Sequence, residues 1–163
     1  RWIRKFNQNL YLGKIFTELD EYNLTNTMIN KLIDRYTSPD LVISKVKENP
    51  YILCNEVNGI GWKTADKIAL NGGMEPYCTK RIGAYMLHYL NTAGESGSSW
   101  ITPDELMGAI LEELGDDVPD EKITETIYEL EDKLWWNEDK SQIGLRRYYN
   151  IEEKIIGEFL RRK

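Results

Sequence analysis

Cysteine and histidine are scarce in this chain of 163 residues, which has two cysteines, Cys54 and Cys78, and one histidine, His88. So few thiols do not form a disulfide framework, and so few soft ligands do not complete a structural zinc site. His88 lies in the segment AYMLHYL, among residue types typical of a core. We therefore expect two reduced thiols in apolar surroundings and a structural histidine.

Long apolar runs are also missing. None approaches the roughly 18 residues that a membrane-spanning helix needs, and no secretory signal is recognisable. The chain opens on Arg1, which suggests a segment of a longer polypeptide. These features predict a cytoplasmic protein with no membrane partner.

A nucleotide-binding loop is absent as well. Such a loop has the form Gly-x-x-x-x-Gly-Lys-Ser/Thr, because its backbone amides and its lysine hold the phosphates. The segments GIGWKTADK and NGGMEPYCTK contain glycine and lysine at other spacings. The acids of ELGDDVPDE (113–121) are typical of a solvated helix boundary rather than of a metal site. We expect no catalytic residue, no cofactor, no metal and no small-molecule substrate in this chain.

The net charge of the whole chain is −6, and its acidic residues are concentrated in one part of the sequence. Residues 1–90 carry 12 Lys or Arg against 9 Asp or Glu, residues 91–150 carry 5 against 15, and the last thirteen carry 4 against 3. Neutralisation of phosphates supplies much of the affinity of proteins for DNA. If the chain meets DNA, the first half should therefore make the contact, and the second half should have another partner.

The pattern of apolar residues predicts a mainly α protein. Helices are predicted over 14–22, 26–36, 39–48, 62–71 and 79–93, then over about 120–134. Between the last two, another helix is predicted from the apolar face formed by Leu106, Ile110, Leu111 and Leu114. The segment TPDE has the form of a capping box, in which Thr102 and Glu105 satisfy each other's backbone donors. The segment LWWNEDKSQIGLRR predicts a β-hairpin around the polar turn 137–141, and NIEEKIIGEFLRRK predicts a last amphipathic helix.

A turn of unusual composition precedes the helix predicted over 62–71. Gly59 and Gly61 flank Ile60, and glycine both adopts backbone angles closed to other residues and lets a ligand approach the main chain. The first N–H groups of the following helix have no partner within the helix and carry the positive end of its dipole. Such a helix start binds anions, and a DNA phosphate is one of them. Lys63 and Lys67 add positive charge on one face.

A faint internal repeat accompanies this turn. A shift of 36 residues places NLTNTMINKLI (23–33) over GIGWKTADKIA (59–69). Leu24 then falls on Ile60, while Asn23 and Thr25 replace the two glycines. A weak repeat of this kind is expected for a pair of related helical hairpins, although Asn and Thr suit such a turn less well than Gly.

The glycine turn resembles the helix-hairpin-helix motif, which has a hydrophobic–x–Gly–hydrophobic–Gly turn between two helices. The longer segment ENPYILCNEVNGIGWKTADKIALNGGM is similar to the N-terminal region of RecD/TraA-type DNA helicases and exodeoxyribonuclease V alpha-like proteins. The resemblance extends over about 15–150. It implies single-stranded or junction DNA as partner, contacted at the backbone, with ATP and Mg²⁺ used only by motor domains of the same polypeptide. The expected contact residues are Gly59, Ile60, Gly61, Trp62, Lys63, Thr64 and Lys67.

Together these observations predict a tandem helix-hairpin-helix unit over 1–76, a winged-helix-like subdomain with one small β-hairpin over 77–150, and a connecting helix over 151–163. The predicted order in the second of these is helix, short strand, helix, helix, hairpin. The second half is too acidic to read DNA in the major groove, since its candidate reading helix (120–133) has six acids against two lysines. We expect it to dock on the motor domains. Trp135 or Trp136 either packs or stacks on a base. The alternative for the whole chain is a structural or protein-contact module that does not bind DNA.

Overall fold

A computed structural model describes residues 2–161, apart from the side chain of residue 4. The protein is mainly α-helical with a small antiparallel sheet, which confirms the predicted fold class. The elements are, in chain order, α1 (Trp2–Glu18), a short 3-10 helix (Asp20–Tyr22), α2 (Asn26–Tyr36), α3 (Pro39–Glu48), α4 (Ile52–Glu56), α5 (Trp62–Asn71), α6 (Thr79–Glu95), β1 (Trp100–Ile101), α7 (Pro103–Leu114), α8 (Asp120–Glu129), β2 (Leu134–Trp136), β3 (Ile143–Leu145) and α9 (Arg146–Arg161). They divide into two compact units, Arg1–Pro76 and Tyr77–Lys163.

The first unit is a cluster of short helices around one apolar core. Helix α3 packs on α1, α2 and α4, and α5 packs on α4 and on the 3-10 helix. Its fully buried side chains include Ile15, Leu19, Ile29, Leu32, Val42, Val46 and Leu53. Burying a side chain of this size contributes about 1.5–3 kcal/mol, so this shared core stabilises helices that are individually too short to persist in water.

Helix α1 is longer than the pattern predicts, because it begins at Trp2 rather than near residue 14. Its first turns expose large apolar side chains, among them Trp2, Ile3, Phe6 and Leu10, whereas Ile15 is fully buried. The burial that anchors this helix therefore lies near its carboxyl end.

The second unit is organised around α6. Helices α7 and α8 pack on α6, and so do strands β1 and β3. The sheet has the order β1-β3-β2, with Trp100 opposite Gly144 in one antiparallel pair and Trp135 opposite Gly144 in the other. The hairpin of β2 and β3 agrees with the predicted one, and β1, of two residues, is the short strand predicted before α7. Strand, two helices and hairpin follow each other in the predicted order.

The start of α7 shows half of the predicted capping box. The Thr102 hydroxyl accepts the Glu105 amide at 3.2 Å. The Glu105 carboxylate instead accepts the hydroxyl of Tyr89, on α6, at 3.4 Å. The side chain that would have completed the box therefore links α7 to α6.

Helix α9 begins directly after β3, at Arg146, and not at the predicted residue 151. The ring of Tyr148 lies against Gly94 of α6, where a Cβ would collide with it, and its hydroxyl donates to Asn91 at 2.8 Å. Beyond this anchor the apolar side chains of α9 are exposed, namely Ile151, Ile155, Ile156, Phe159 and Leu160. Within the described part of the chain, no helix has both the length and the apolar character needed to cross a membrane.

Both tryptophans of the hairpin are partly exposed, and each is covered on one side. Trp135 stacks on Tyr149 with ring centroids 4.8 Å apart, and the Lys140 ammonium lies 5.6 Å from the Trp136 ring. Hydrogen bonds from Ser141 to Asp139 close the intervening turn and lower the pKa of the Asp139 carboxyl. The hairpin tip is therefore an ordered turn.

Candidate nucleic-acid interface

The second hairpin turn, residues 57–61, connects α4 to α5. Gly59 has a φ of +90°, a conformation that side-chain-bearing residues rarely adopt. The next residue, Ile60, is only 6 % exposed, and its amide donates to the Val57 carbonyl at 3.2 Å. Gly61 then takes an extended conformation as the N-cap of α5. The isoleucine thus anchors the turn in the core while both glycines face solvent.

The start of α5 is open. No side chain caps it at Gly61, and a Cβ placed on Gly61 would meet nothing within 4 Å. In residues 2–161 the backbone N–H groups of Lys63 and Thr64 have no hydrogen-bond partner. Exposed N–H groups at the positive end of a helix dipole bind anions.

Two of the predicted contact residues have buried side chains. Ile60 and Trp62 lie in the core, and the Trp62 ring stacks on Tyr51 with centroids 5.2 Å apart. The Tyr51 hydroxyl donates to the Asp66 carboxylate at 2.7 Å. Any contact of Ile60 or Trp62 with an external ligand therefore uses the main chain, and Asp66, the acid of this helix, is already engaged by Tyr51.

Lys63 and Lys67 are exposed and lie four residues apart, so they share one face of α5. Within the described chain neither ammonium forms an ion pair with a carboxylate. The two ammonium groups add positive charge near the unpaired amides at the start of α5, where Thr64 is also exposed.

A third lysine at this turn was not predicted. Lys31 of α2 donates its ammonium to the Asn58 carbonyl at 2.5 Å, and the ammonium lies 3.6 Å from where a Cβ on Gly59 would be. The sequence contains a signal for it, because the 36-residue shift that aligns the two hairpins places Lys31 on Lys67.

The first hairpin turn, residues 21–25, has the same backbone design. Asn23 has a φ of +51°, Leu24 is 8 % exposed, and Thr25 is the extended N-cap of α2, matching Gly59, Ile60 and Gly61. It differs in one respect, because the Thr25 hydroxyl accepts the Met28 amide at 3.3 Å. The helix start of the first hairpin is thus closed by its own side chain.

Neither cysteine nor the histidine lies in the second hairpin turn or in α5. Both thiols are free and half-buried, and burial raises the pKa of the Cys54 thiol. Partial burial lowers the pKa of the His88 imidazole. Among residues 2–161 no group of three or more His, Cys, Asp or Glu side chains is arranged to hold a metal ion.

Two helical pairs, each joined by a turn with a left-handed residue, a buried aliphatic residue and an extended N-cap, define a helix-hairpin-helix protein. Residues 8–100 match the family described as the HHH domain of the ATP-dependent RecD2 DNA helicase. The chain belongs to this family.

Proposed function

We propose that this chain binds the sugar-phosphate backbone of DNA, without sequence preference, through the second hairpin turn and the start of α5. The observation that carries the proposal is the open helix start after Gly61, whose free amides lie beside Lys63 and Lys67. Its membership of a helicase domain family supports DNA as the anion.

The chemistry of the turn favours phosphate over bases. Its donors are main-chain amides, which suit a phosphate oxygen, and its cations are lysines, which act on phosphate as point charges. Contacts of this kind carry no sequence information, because every nucleotide offers the same phosphate. Such contacts would bind a strand through its backbone without making base-specific contacts.

In the parent polypeptide we propose an accessory role for this segment. Motor domains elsewhere in the polypeptide would bind ATP and Mg²⁺ and move the strand that the hairpin holds. The second unit suits a protein partner better than DNA, because α8 is rich in acids and α9 exposes an apolar face. The motor domains are the partner that this arrangement favours.

Replacing Lys63 and Lys67 together by glutamine is expected to weaken binding to fluorescently labelled oligonucleotides at least about tenfold at low salt. Glutamine keeps the helix propensity and removes both charges. The plot of log K against log salt concentration should become shallower by about 1.4–1.8, since each lost phosphate contact removes about 0.7–0.9 from the slope. Fluorescence anisotropy over a salt series measures both quantities.

The matched control is Lys5→Gln/Lys45→Gln, which removes two exposed ammonium groups from α1 and α3 of the same unit; within the described chain neither forms an ion pair with a carboxylate. It should change affinity and slope much less. Equal losses in the two double variants would mean that only net charge matters. Absence of binding by the wild-type chain near micromolar concentration at low salt would favour the second candidate, a protein-contact module, for which the exposed apolar face of α9 is the supporting observation.

A further inference from the structure

Lys31 is a cation from the first hairpin that lies at the turn of the second. Its ammonium is bonded to the Asn58 carbonyl, next to the residue that carries the left-handed conformation of the turn. This contact links residues 27 positions apart in the chain. Its position therefore depends on the packing of the first unit and not on local sequence.

The bonding of this ammonium leaves capacity for an external acceptor. An ammonium has three donors, and the Asn58 carbonyl uses one. Lys31 is exposed, and in the part of the chain that the structure describes it forms no ion pair with a carboxylate. The acid Glu56, two residues before Asn58 in the chain, faces Arg35 at 3.8 Å. A cation fixed in place but not neutralised is suited to an anionic ligand.

We propose that Lys31 contacts the backbone phosphate held at the second hairpin turn, so that the two hairpins form one composite site on one strand. This inference rests on the proposed function. The first hairpin, whose helix start is closed by Thr25, then contributes a side chain in place of main-chain amides. The second hairpin contributes the amides.

The alternative role for Lys31 is that of a strut, which holds the Asn58 carbonyl and touches no ligand. The two roles differ in salt dependence, because only an ammonium that contacts phosphate displaces a counterion. The two roles also differ in how well arginine can substitute for Lys31. Arginine keeps the positive charge that a phosphate contact needs, but its planar guanidinium would bond to the Asn58 carbonyl with a different geometry.

The test compares Lys31→Gln and Lys31→Arg with the wild-type chain by anisotropy on labelled single-stranded and duplex oligonucleotides over a salt series. Lys31→Gln is expected to weaken binding roughly fivefold at low salt and to reduce the salt slope by about 0.7–0.9. Lys31→Arg is expected to retain the wild-type slope. Lys5→Gln serves as the matched single-charge control, and the urea midpoint of each variant shows whether it is folded.

An unchanged slope in a folded Lys31→Gln variant would overturn the inference, whether or not affinity falls, because it identifies a strut. If the Lys63→Gln/Lys67→Gln variant still loses binding in that case, the proposed function stands and only the role of Lys31 fails. A wild-type chain that binds neither oligonucleotide overturns both proposals. A reduced salt slope in Lys31→Gln, with the wild-type slope retained in Lys31→Arg and in Lys5→Gln, supports the composite site.

Discussion

Replacing Gly61 by threonine is expected to weaken DNA binding about ten- to a hundredfold while leaving the protein as stable as before. Thr25 shows the reason, since the residue at this place in the first hairpin closes its own helix start. In Gly61→Thr the new hydroxyl would take the Thr64 amide, and the new side chain would occupy the space through which a phosphate approaches. We expect the loss of one charge-assisted hydrogen bond, together with the loss of close approach by the phosphate, to cost about 1.4–2.7 kcal/mol of binding free energy. This range corresponds to the ten- to hundredfold loss of affinity.

Stability should not suffer, because Gly61 is in an extended conformation that threonine also adopts. Threonine and glycine are similar as N-caps, so the free energy of unfolding should change by only a few tenths of a kcal/mol. Anisotropy titration measures the affinity, and urea denaturation measures the stability. A folded Gly61→Thr variant with wild-type affinity would rule out the α5 amides as the DNA contact.

The reciprocal variant, Thr25→Gly, is the matched control. It opens the helix start of the first hairpin by removing the side chain that accepts the Met28 amide. We expect DNA affinity to be retained or to rise, with only a small loss of stability. Opposite effects of the two variants on affinity would show that access to amides, rather than disturbance of the fold, governs binding.

Gly144→Ala is expected to destabilise the second unit by about 2–3 kcal/mol. Gly144 is buried in the central strand β3, between Trp100 of β1 and Trp135 of β2. A Cβ at this position would overlap the Ser99 carbonyl oxygen, which is backbone and cannot swing away. Overpacking of a well-packed interior costs about 1–3 kcal/mol, and here the strand pairing itself must shift. Urea denaturation followed by tryptophan fluorescence measures the loss.

Gly108→Ala provides a control with the same chemical change in the same unit. Gly108 is exposed in the interior of α7, and a Cβ there would meet nothing within 4 Å. Alanine in a helix interior is favoured over glycine by up to about 1 kcal/mol, so this variant should be more stable than wild type. Equal stabilities of Gly144→Ala and wild type would show that β1 moves away without penalty.

The second hairpin turn could be predicted from sequence because its determinants are local. A left-handed residue, an aliphatic anchor and an uncapped helix start need only neighbouring residues, and the pattern Gly59-Ile60-Gly61 encodes all of them. The first hairpin was detectable through the same pattern, although its glycines are replaced. That Thr25 closes its helix start follows from one side-chain hydrogen bond, which composition alone does not reveal.

Features that depend on distant residues were missed or predicted without their bounds. The contact of Lys31 with Asn58 needs the packing of α2 beside the second hairpin turn. The sequence predicts a short strand before α7 but not its bounds, because β1 has only two residues, too few for an alternating pattern, and forms by pairing with β3. Helix α9 begins at Arg146 where Tyr148 docks on α6, a contact between residues far apart in the chain.

The exposed Asn58-Gly59 sequence makes the second hairpin turn susceptible to deamidation. Asparagine followed by glycine deamidates readily, because the unhindered glycine nitrogen attacks the side-chain amide, expels ammonia and leaves a ring that water opens to a carboxylate. Within residues 2–161 neither the Asn58 side chain nor the Gly59 amide is engaged in a hydrogen bond that would restrain this reaction. Deamidation during storage is therefore expected to introduce a negative charge near Lys31, at the turn where we propose that a phosphate binds. Aged preparations are therefore expected to carry more negative charge at this turn than fresh ones.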